Sequence, residues 1–372
     1  MKPIIADKLA RIDELFPPER VEASKARISD IWNGKKPKDR YPYVYYPISF
    51  NYYDDAHTAE QRLLVTLDEL ILRGQFEDDF IPAVFPGCKQ STIPSMFGAE
   101  ELICGEDYCS EKIIFKPQDV YRMGEPRIED GSVADYWIRM QEYLYEETEG
   151  RLGIHITDMQ GPADVCGQLW GYDNLFVSAY TNPEEYGVIM TKATDAFLIL
   201  WNRQKETLGE SFIGTHLFGW SWAPEGNGAA VSADSIVMVS PEFFDEFYAP
   251  YLNRISKETG GIVLHSCGDF GHLLPNLYQL ERIKGINAGQ MTVEELLAAG
   301  LDSRLVVIAQ SKVEQAETMF RLARDNGLRM DLTIVGAWPG DPYNPNSLEE
   351  WTQKDWERAR RINDIMQKIS EV

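Results

Sequence analysis

The chain reads Ile262-Val263-Leu264-His265-Ser266-Cys267-Gly268-Asp269, an apolar run that ends abruptly in polar residues. Because side chains alternate faces along a strand, His265 and Cys267 are predicted to project from one face while Ser266 points away. A neutral imidazole beside a thiolate suits zinc, and Gly268 leaves room for a ligand to approach the backbone. The alternative interpretation is a buried cysteine beside a hydrogen-bonded histidine in the core.

The fold follows from how often such apolar runs recur along the chain. Candidate strands span residues 42–47, 80–85, 153–157, 212–218, 261–267, 283–287, 304–310 and 330–335. Helix-like segments between them include residues 59–73, 183–208, 241–258, 293–299, 313–326 and 348–369. This alternation predicts an α/β protein with a (β/α)8 TIM-barrel fold. An open doubly wound sheet is the alternative, although no glycine-rich dinucleotide-binding turn follows the first strand.

Two further segments flank or interrupt this pattern. Apolar residues at helical spacing predict two amphipathic helices in an N-terminal helical extension, residues 1–40, ahead of a barrel formed by residues 41–372. Residues 88–132 carry glycine and proline without clear periodicity and are predicted to be an insertion after the second strand. Long loops on that side of a barrel often carry function.

Composition limits the classes of partner. The formal net charge of −23 opposes binding to nucleic acid or to anionic membrane surfaces. Five cysteines without a C-x-x-C pair are typical of a reducing compartment and not of a disulfide framework. Since no apolar run approaches the roughly 20 residues needed to span a bilayer, a cytoplasmic protein is predicted. A homodimer is compatible with the sequence.

Active sites of TIM-barrel enzymes lie at the carboxyl ends of the strands, and the polar residues there form the candidate site. The predicted catalytic residues are Asp158, His216 and Asp234. The predicted substrate-binding residues are Tyr46, Gln160, Trp220, Asn287, Gln310 and Trp338. The predicted metal ligands are His265 and Cys267. For each residue taken alone, a hydrogen-bonded loop anchor is the alternative. Residues 220–234 are predicted to form a substrate lid, and Asp78-Asp79 a solvated pair of acids.

Three motifs together resemble the uroporphyrinogen decarboxylase superfamily, over a region from about Tyr41 to the end. They are Asp158-Met159-Gln160-Gly161-Pro162, Ser240-Pro241-Glu242-Phe243-Phe244 and His265-Ser266-Cys267-Gly268. The resemblance implies a (β/α)8 barrel. The superfamily includes the decarboxylase itself and zinc methyltransferases that exchange methyl groups with corrinoid proteins.

Missing residues favour the methyltransferase branch. The decarboxylase carries an arginine-rich loop after its first strand, whereas residues 47–53 of this chain contain no arginine to bind substrate carboxylates. His265 and Cys267 match the first two zinc ligands of the methylcobamide methyltransferases. Their third ligand, a cysteine near the last strand, has no counterpart, because no cysteine follows Cys267. The residues considered to complete the site are His216, Cys88, Asp158 and Asp341.

The resemblance therefore implies a corrinoid-dependent methyltransferase that acts on a small methyl donor or acceptor. It also implies zinc as cofactor and a separate protein that carries the corrinoid. Two alternatives stay open. One is a decarboxylase in which Asp158 or Asp79 is the acid, and the other is a non-catalytic barrel that binds a small ligand.

Overall fold

The computed structural model describes residues 1–46, 58–104, 107–215, 222–335 and 353–371. Its helices are α1 (Pro3–Leu15), α2 (Pro18–Trp32), α3 (Ala59–Arg73), α4 (Thr92–Ser95), α5 (Val133–Thr148), α6 (Pro162–Trp170), α7 (Tyr172–Thr181), α8 (Pro183–Leu208), α9 (Pro241–Phe243), α10 (Ala249–Thr259), α11 (Leu274–Leu277), α12 (Val293–Ala298), α13 (Ala316–Asn326) and α14 (Gln353–Ser370). Its strands are β1 (Tyr43–Tyr46), β2 (Ala83–Val84), β3 (Glu101–Cys104), β4 (Asp107–Ser110), β5 (Gly153–His155), β6 (Phe212–Ile213), β7 (Ala229–Ser232), β8 (Ile262–Ser266), β9 (Ile283–Ala288), β10 (Val306–Lys312) and β11 (Arg329–Val335).

Parallel strands form two sheets. The larger sheet has the order β1-β11-β10-β9-β8-β7, and the smaller has the order β2-β5-β6. Backbone hydrogen bonds join the two sheets, since Ser232 donates to Met159 (3.0 Å) and Ala230 donates to Gly214 (2.8 Å). The first and last strands of the chain are neighbours, because β1 pairs with β11 in parallel. These ladders confirm the predicted mixed α/β class.

Each of the eight predicted strand runs contains an observed strand. Helix α3 ends where the sequence predicted, as does α8. A segment of π-helix, Phe244–Tyr248, divides the predicted helix 241–258 into α9 and α10. Closure of all parallel strands into a (β/α)8 barrel stays a prediction, since no ladder joins β1 to β2 among the described residues.

Strand β7 corrects the prediction of a lid over residues 220–234. Residues Ala229–Ser232 are buried and pair with β8 along their whole length. Two alanines and a serine give this segment little intrinsic strand propensity. The strand forms because Gly228, at φ +84°, lets the chain pass directly against the backbone of Gly261, where a Cβ would overlap the carbonyl oxygen. Pairing with β8 therefore outweighs local preference.

The predicted solvated acid pair is buried instead, and it anchors the N-terminal helices. Asp78 accepts hydrogen bonds from the backbone N–H groups of Tyr45 (2.7 Å) and Phe80 (3.1 Å). Asp79 is 0% exposed and pairs with Arg27 of α2 (2.9 Å) and with Arg40. Two adjacent carboxylates at a strand edge would be solvated, but α2 covers them and supplies the counter-charge.

Two observations bear on the compartment predicted from composition. Cys109 of the β3–β4 hairpin is disulfide-bonded, whereas Cys88, Cys166 and Cys267 form no disulfide, and a reducing compartment stays a prediction. In the part of the chain that the structure describes, no helix combines the length and apolar character needed to cross a bilayer.

Candidate metal centre and active site

Polar side chains from four neighbouring segments line up across the carboxyl-terminal side of the sheet. Gln160 pairs with Ser232, Ser232 with His265, and His265 with Asn287. Residues paired in a parallel ladder project from the same face, and alternation places Asp158 on that face as well. The fold thus gathers several of the predicted site residues on one surface.

His265 is held in a defined orientation by Asn287. The side chain of Asn287 donates from Nδ2 to the carbonyl of Ile308 (2.9 Å), so its Oδ1 faces the imidazole Nδ1 of His265 (2.5 Å). An amide oxygen only accepts, so Nδ1 carries the proton and Nε2 presents its lone pair. His265 is 5% exposed, and Nε2 lies 3.5 Å from Cys267 Sγ. Asn287 was predicted to bind substrate, and in the structure its side chain orients His265, a predicted metal ligand.

Asp234 brings a carboxylate to the same point from the end of β7. Its Oδ1 lies 3.7 Å from His265 Nε2 and accepts a hydrogen bond from the backbone N–H of Cys267 (2.6 Å). The other carboxylate oxygen faces Ser232 Oγ at 3.4 Å. Asp234 was predicted to be catalytic, and the geometry groups it with His265 and Cys267 as three side chains that could hold a metal ion.

Asp164 fixes the backbone from which Asp234 projects. Asp234 begins a short 3-10 helix, Asp234–Met238, and the buried carboxylate of Asp164 on α6 accepts from the N–H groups of Asp234 (2.7 Å) and Ser235 (2.9 Å). Burial raises the pKa of Asp164 to about 7, with the carboxylate of Asp234 adding to the rise. The motif Asp158–Pro162 brings the start of α6 close to β7, since the backbone N–H of Gly161 donates to the carbonyl of Ser232 (2.6 Å).

Two of the three donor–donor separations are close to those around a tetrahedral zinc ion. Ligand atoms of Asp234, His265 and Cys267 all lie within 4.8 Å of one another. Zinc bond lengths and a tetrahedral angle place nitrogen and sulfur about 3.6 Å apart, and nitrogen and oxygen about 3.4 Å apart. The observed separations of 3.5 and 3.7 Å match those spacings. Three protein ligands leave a fourth position for substrate, as in catalytic zinc sites.

The thiol of Cys267 is protonated when no cation neutralises it. Partial burial and the negative charge of Asp234 raise its pKa to about 12. A divalent cation reverses this preference, because a coordinating thiol loses its proton. The residue itself lies at the exposed edge of the cluster, next to Gly289, where an added Cβ would stand 3.3 Å from Sγ.

Asp158 and Gln160 form a buried polar pair beside the cluster. Gln160 Nε2 donates to Asp158 Oδ2 (2.8 Å), and Asp158 is 5% exposed. Burial raises the pKa of Asp158 to about 7, and the nearby charge of Asp234 adds to the rise. A carboxyl group with that pKa can hold or release a proton near neutrality.

The remaining predicted residues divide into three groups. Tyr46 was predicted to bind substrate. Its ring is buried in a cluster that includes Phe80 and Leu67, and the ring centre lies 3.7 Å from the guanidinium carbon of Arg73. Gln310 is exposed on β10. It lies two residues beyond Ile308, the partner of Asn287, and so is at the carboxyl-terminal rim of the sheet. The third group lies outside the described residues: His216, Trp220, Trp338 and Asp341.

Sequence reasoning missed Asp164 and Ser232. Asp164 looks like an ordinary acidic residue in the first turn of a helix, which the helix dipole favours. Ser232 lies in a segment without strand signals. Only the packing of α6 and β7 against β8 shows what these two side chains contact.

Comparisons with known proteins support the fold. No protein-family model matches the chain, and no curated protein matches it. Among the solved structures similar to it is a methyltransferase from Methanosarcina mazei, with a TM-score of 0.58 and 17% identity over 91% of this chain and 98% of that protein. At such identity the likeness shows a shared fold. Membership of the uroporphyrinogen decarboxylase superfamily stays a prediction.

Proposed function

We propose that the chain is a methyltransferase that exchanges a methyl group between a small substrate and the cobalt of a corrinoid carried by a partner protein. Zinc would be held by Asp234, His265 and Cys267. The observation that carries the proposal is the grouping of these three donors within 4.8 Å of one another at the carboxyl end of parallel strands. The fold that this chain shares with a methyltransferase is consistent with the proposal. As the finer description of that fold we propose a (β/α)8 barrel.

The residues of the site have separable tasks under this proposal. Zinc would supply Lewis-acid chemistry, which polarises a heteroatom bound to the methyl group or lowers the pKa of a thiol acceptor. Asn287 keeps the Nε2 lone pair of His265 directed at the cluster, and Asp164 holds Asp234 in place. Gln310, exposed at the rim, would contact the substrate.

Metal content of the purified protein tests the centre. We expect zinc in the wild-type protein and loss of that zinc in the His265→Ala, Cys267→Ser and Asp234→Asn variants. His272→Ala is the matched control, because His272 is an exposed histidine whose Nε2 contacts the carbonyl of Val239. Retention of zinc by all three variants would show that these residues do not form the site.

Corrinoid spectroscopy tests the reaction. Cob(I)alamin and methylcobalamin have distinct absorption spectra, so methyl transfer in either direction can be followed on mixing with methyl ethers, amines or thiols. We expect wild-type protein to change the spectrum with one of these classes and the His265→Ala variant not to. A zinc-loaded wild-type protein that produces no change with any class would refute methyl transfer.

One residue of the decarboxylase alternative is unsuited to its role. Asp79 is fully buried and pairs with Arg27 and Arg40, which hold it away from any substrate. Its carboxylate also accepts a hydrogen bond from the backbone N–H of Tyr43 (3.1 Å), which makes it an anchor of β1. No described contact favours decarboxylation over methyl transfer.

A further inference from the structure

Two segments on the outer surface around α6 to α8 expose large apolar side chains. Phe115 and Tyr121 belong to the first segment, residues 112–122, and each is more than half exposed. Val177 and Tyr180 belong to α7 in the second segment, residues 172–185, and are also more than half exposed. Their spacing of three residues puts them on one face of the helix. Single apolar residues are ordinary on a surface, whereas a cluster of them marks an interaction site.

The two segments are neighbours at both of their ends. Near the start of the first segment, the backbone N–H of Ile114 donates to the carbonyl of Leu169 (3.0 Å), in the last turn of α6. Near its end, local desolvation and the negative charges of residues 184–185 raise the pKa of the Tyr121 phenol, so this ring lies beside the start of α8. Because α7 connects α6 to α8, the exposed side chains of both segments belong to one part of the surface.

The first segment is locally basic. Its exposed cationic side chains are Lys112, Lys116 and Arg122. Its one acid, Asp119, accepts hydrogen bonds from the backbone N–H groups of Phe115 (3.2 Å) and Lys116 (3.1 Å) and lies 3.7 Å from Arg122. An excess of cations over eleven residues is unusual in a chain with 36 basic and 59 acidic residues.

The second segment is locally acidic. It contains Asp173, Glu184 and Glu185 and no lysine or arginine. Among the described residues, none of these three carboxylates is in an ion pair. A basic segment with exposed apolar side chains thus lies beside an acidic segment with exposed apolar side chains, and such a surface is complementary to itself.

A second copy of the chain is the partner that this pattern fits. Rotation by 180° about an axis between the segments brings the first segment of each copy against the second segment of the other, so every contact occurs twice. Two chains that each carry a net charge of −23 repel one another at a distance, so association requires a face on which opposite charges meet. The segments contain 11 and 14 residues, which is comparable to the roughly 20–30 residues on each side of a standard interface.

We propose that residues 112–122 and 172–185 form the interface of a symmetric homodimer. Phe115 and Tyr121 of one chain pack against α7 of the other, and the charged side chains of the two segments pair around this apolar centre. The inference is independent of the proposed function, because it uses no residue of the metal-ligand cluster.

Light scattering after size-exclusion chromatography tests the assembly. We expect wild-type protein to have twice the 42.5 kDa mass of one chain. Phe115→Asp and Val177→Asp should each be monomeric at the same concentration, because each substitution places two carboxylates in the apolar centre of the dimer. Ile4→Asp is the matched control, since Ile4 is also more than half exposed but lies on α1. Circular dichroism checks that the variants stay folded.

Charge reversal tests which segments meet. Sedimentation velocity on a dilution series gives the dissociation constant of the dimer. Reversal of the basic segment (Lys116→Glu with Arg122→Glu) should weaken the dimer on the order of tenfold, because like charges then face each other. Reversal of the acidic segment (Glu184→Lys with Glu185→Lys) should weaken it similarly. All four substitutions together restore opposite charges and should recover most of the lost affinity.

Three results would overturn the inference. One is a wild-type protein that is monomeric at every concentration. Another is a dimer that persists in both Phe115→Asp and Val177→Asp, since the interface would then lie elsewhere. The third is monomeric wild-type protein that sediments with phosphatidylcholine vesicles while Val177→Asp does not, which would assign the apolar side chains to a lipid surface.

Discussion

At the scale of single residues, the candidate metal centre depends on side chains that are not themselves candidate metal ligands. Asn287 has two hydrogen bonds, one to the Ile308 carbonyl and one to His265, and together they leave a single tautomer of the imidazole facing Asp234 and Cys267. Outer contacts of this kind set the affinity of a metal site as well as its geometry.

Replacement of Asn287 tests that dependence. We expect Asn287→Ala to weaken zinc binding by about 10–100-fold, because the His265 ring loses the acceptor that fixes its orientation. Competition with a chromophoric chelator measures the affinity. Asn326→Ala is the control, since Asn326 is exposed on α13 and bonds only the carbonyl of Leu322 among the contacts described. Equal affinities for the two variants would contradict the role of Asn287.

Asp158 is expected to make stability depend on pH. Its pKa in the folded state, about 7, is above the ordinary value of 3.8, so the folded state binds more protons than the unfolded state between those values. The free energy of unfolding therefore falls as pH rises from about 4 to about 7. Asp158→Asn removes this contribution, and the variant should gain on the order of 2 kcal/mol relative to wild type between pH 5 and pH 8.

Urea titrations of both proteins at the two pH values provide the measurement. Asp164 and Glu69 also have pKa values raised to about 7 by burial, but both residues are unchanged in the variant, so their contributions cancel in the comparison. If the difference in the free energy of unfolding between variant and wild type does not vary with pH, Asp158 is ionised at both pH values.

At the scale of helices and strands, helix α6 positions the segment that follows strand β7. Asp164 of α6 satisfies the first two N–H groups of the 3-10 helix that follows β7, and so determines where the Asp234 side chain begins. The capping residue thus comes from a distant segment, whereas Ser240 caps α9 locally through the N–H of Phe243 (3.2 Å).

These two caps allow a matched comparison. Asp164→Ala should lower the free energy of unfolding by about 1–3 kcal/mol, because two buried N–H groups lose their acceptor, and it should also weaken zinc binding. Ser240→Ala should cost about 1 kcal/mol and leave zinc affinity unchanged. Thermal unfolding and chelator competition on both variants give the two quantities. Unchanged zinc affinity in Asp164→Ala would show that Asp234 keeps its place without the cap.

Across the molecule as a whole, buried ion pairs attach the N-terminal helices to the sheet. Arg27 of α2 reaches Asp79 ahead of β2, while Trp32 at the end of α2 faces Asp331 of β11 (3.4 Å). Helix α2 thus contacts segments from opposite ends of the rest of the sequence, residues 41–372. The extension is therefore an integral part of the fold.

Removal of the buried partner tests this attachment. Asp79→Ala removes the buried carboxylate shared by Arg27 and Arg40, although Arg27 keeps its pair with Asp39, and should lower the free energy of unfolding by about 3–5 kcal/mol. Asp68→Ala removes an exposed pair between Lys8 of α1 and Asp68 of α3 and should cost less than about 1 kcal/mol. Urea unfolding followed by tryptophan fluorescence measures both. Similar small losses in the two variants would mean that α2 contributes little to stability.

Much of the architecture and part of the site were predictable from local patterns. Continuous apolar runs mark parallel strands that are buried on both faces, which is why each predicted run contains a strand. His265 and Cys267 were recognisable because two soft ligands alternate at the end of such a run. Asp78 and Asp79 misled the prediction, since the sequence does not show that Arg20 and Arg27 of α2 neutralise them.

Local patterns in the chain were enough to predict eight of the described strands and to place two donor residues at the end of one of them, because periodicity and alternation involve only neighbouring residues. The third donor, the burial of Asp158 with Gln160 and the groups that support the cluster depend on packing. Asp234 meets His265 only because β7, a segment of weak strand propensity, pairs with β8 and is capped from α6. Such contacts join segments that are distant in the chain, and no local pattern encodes them.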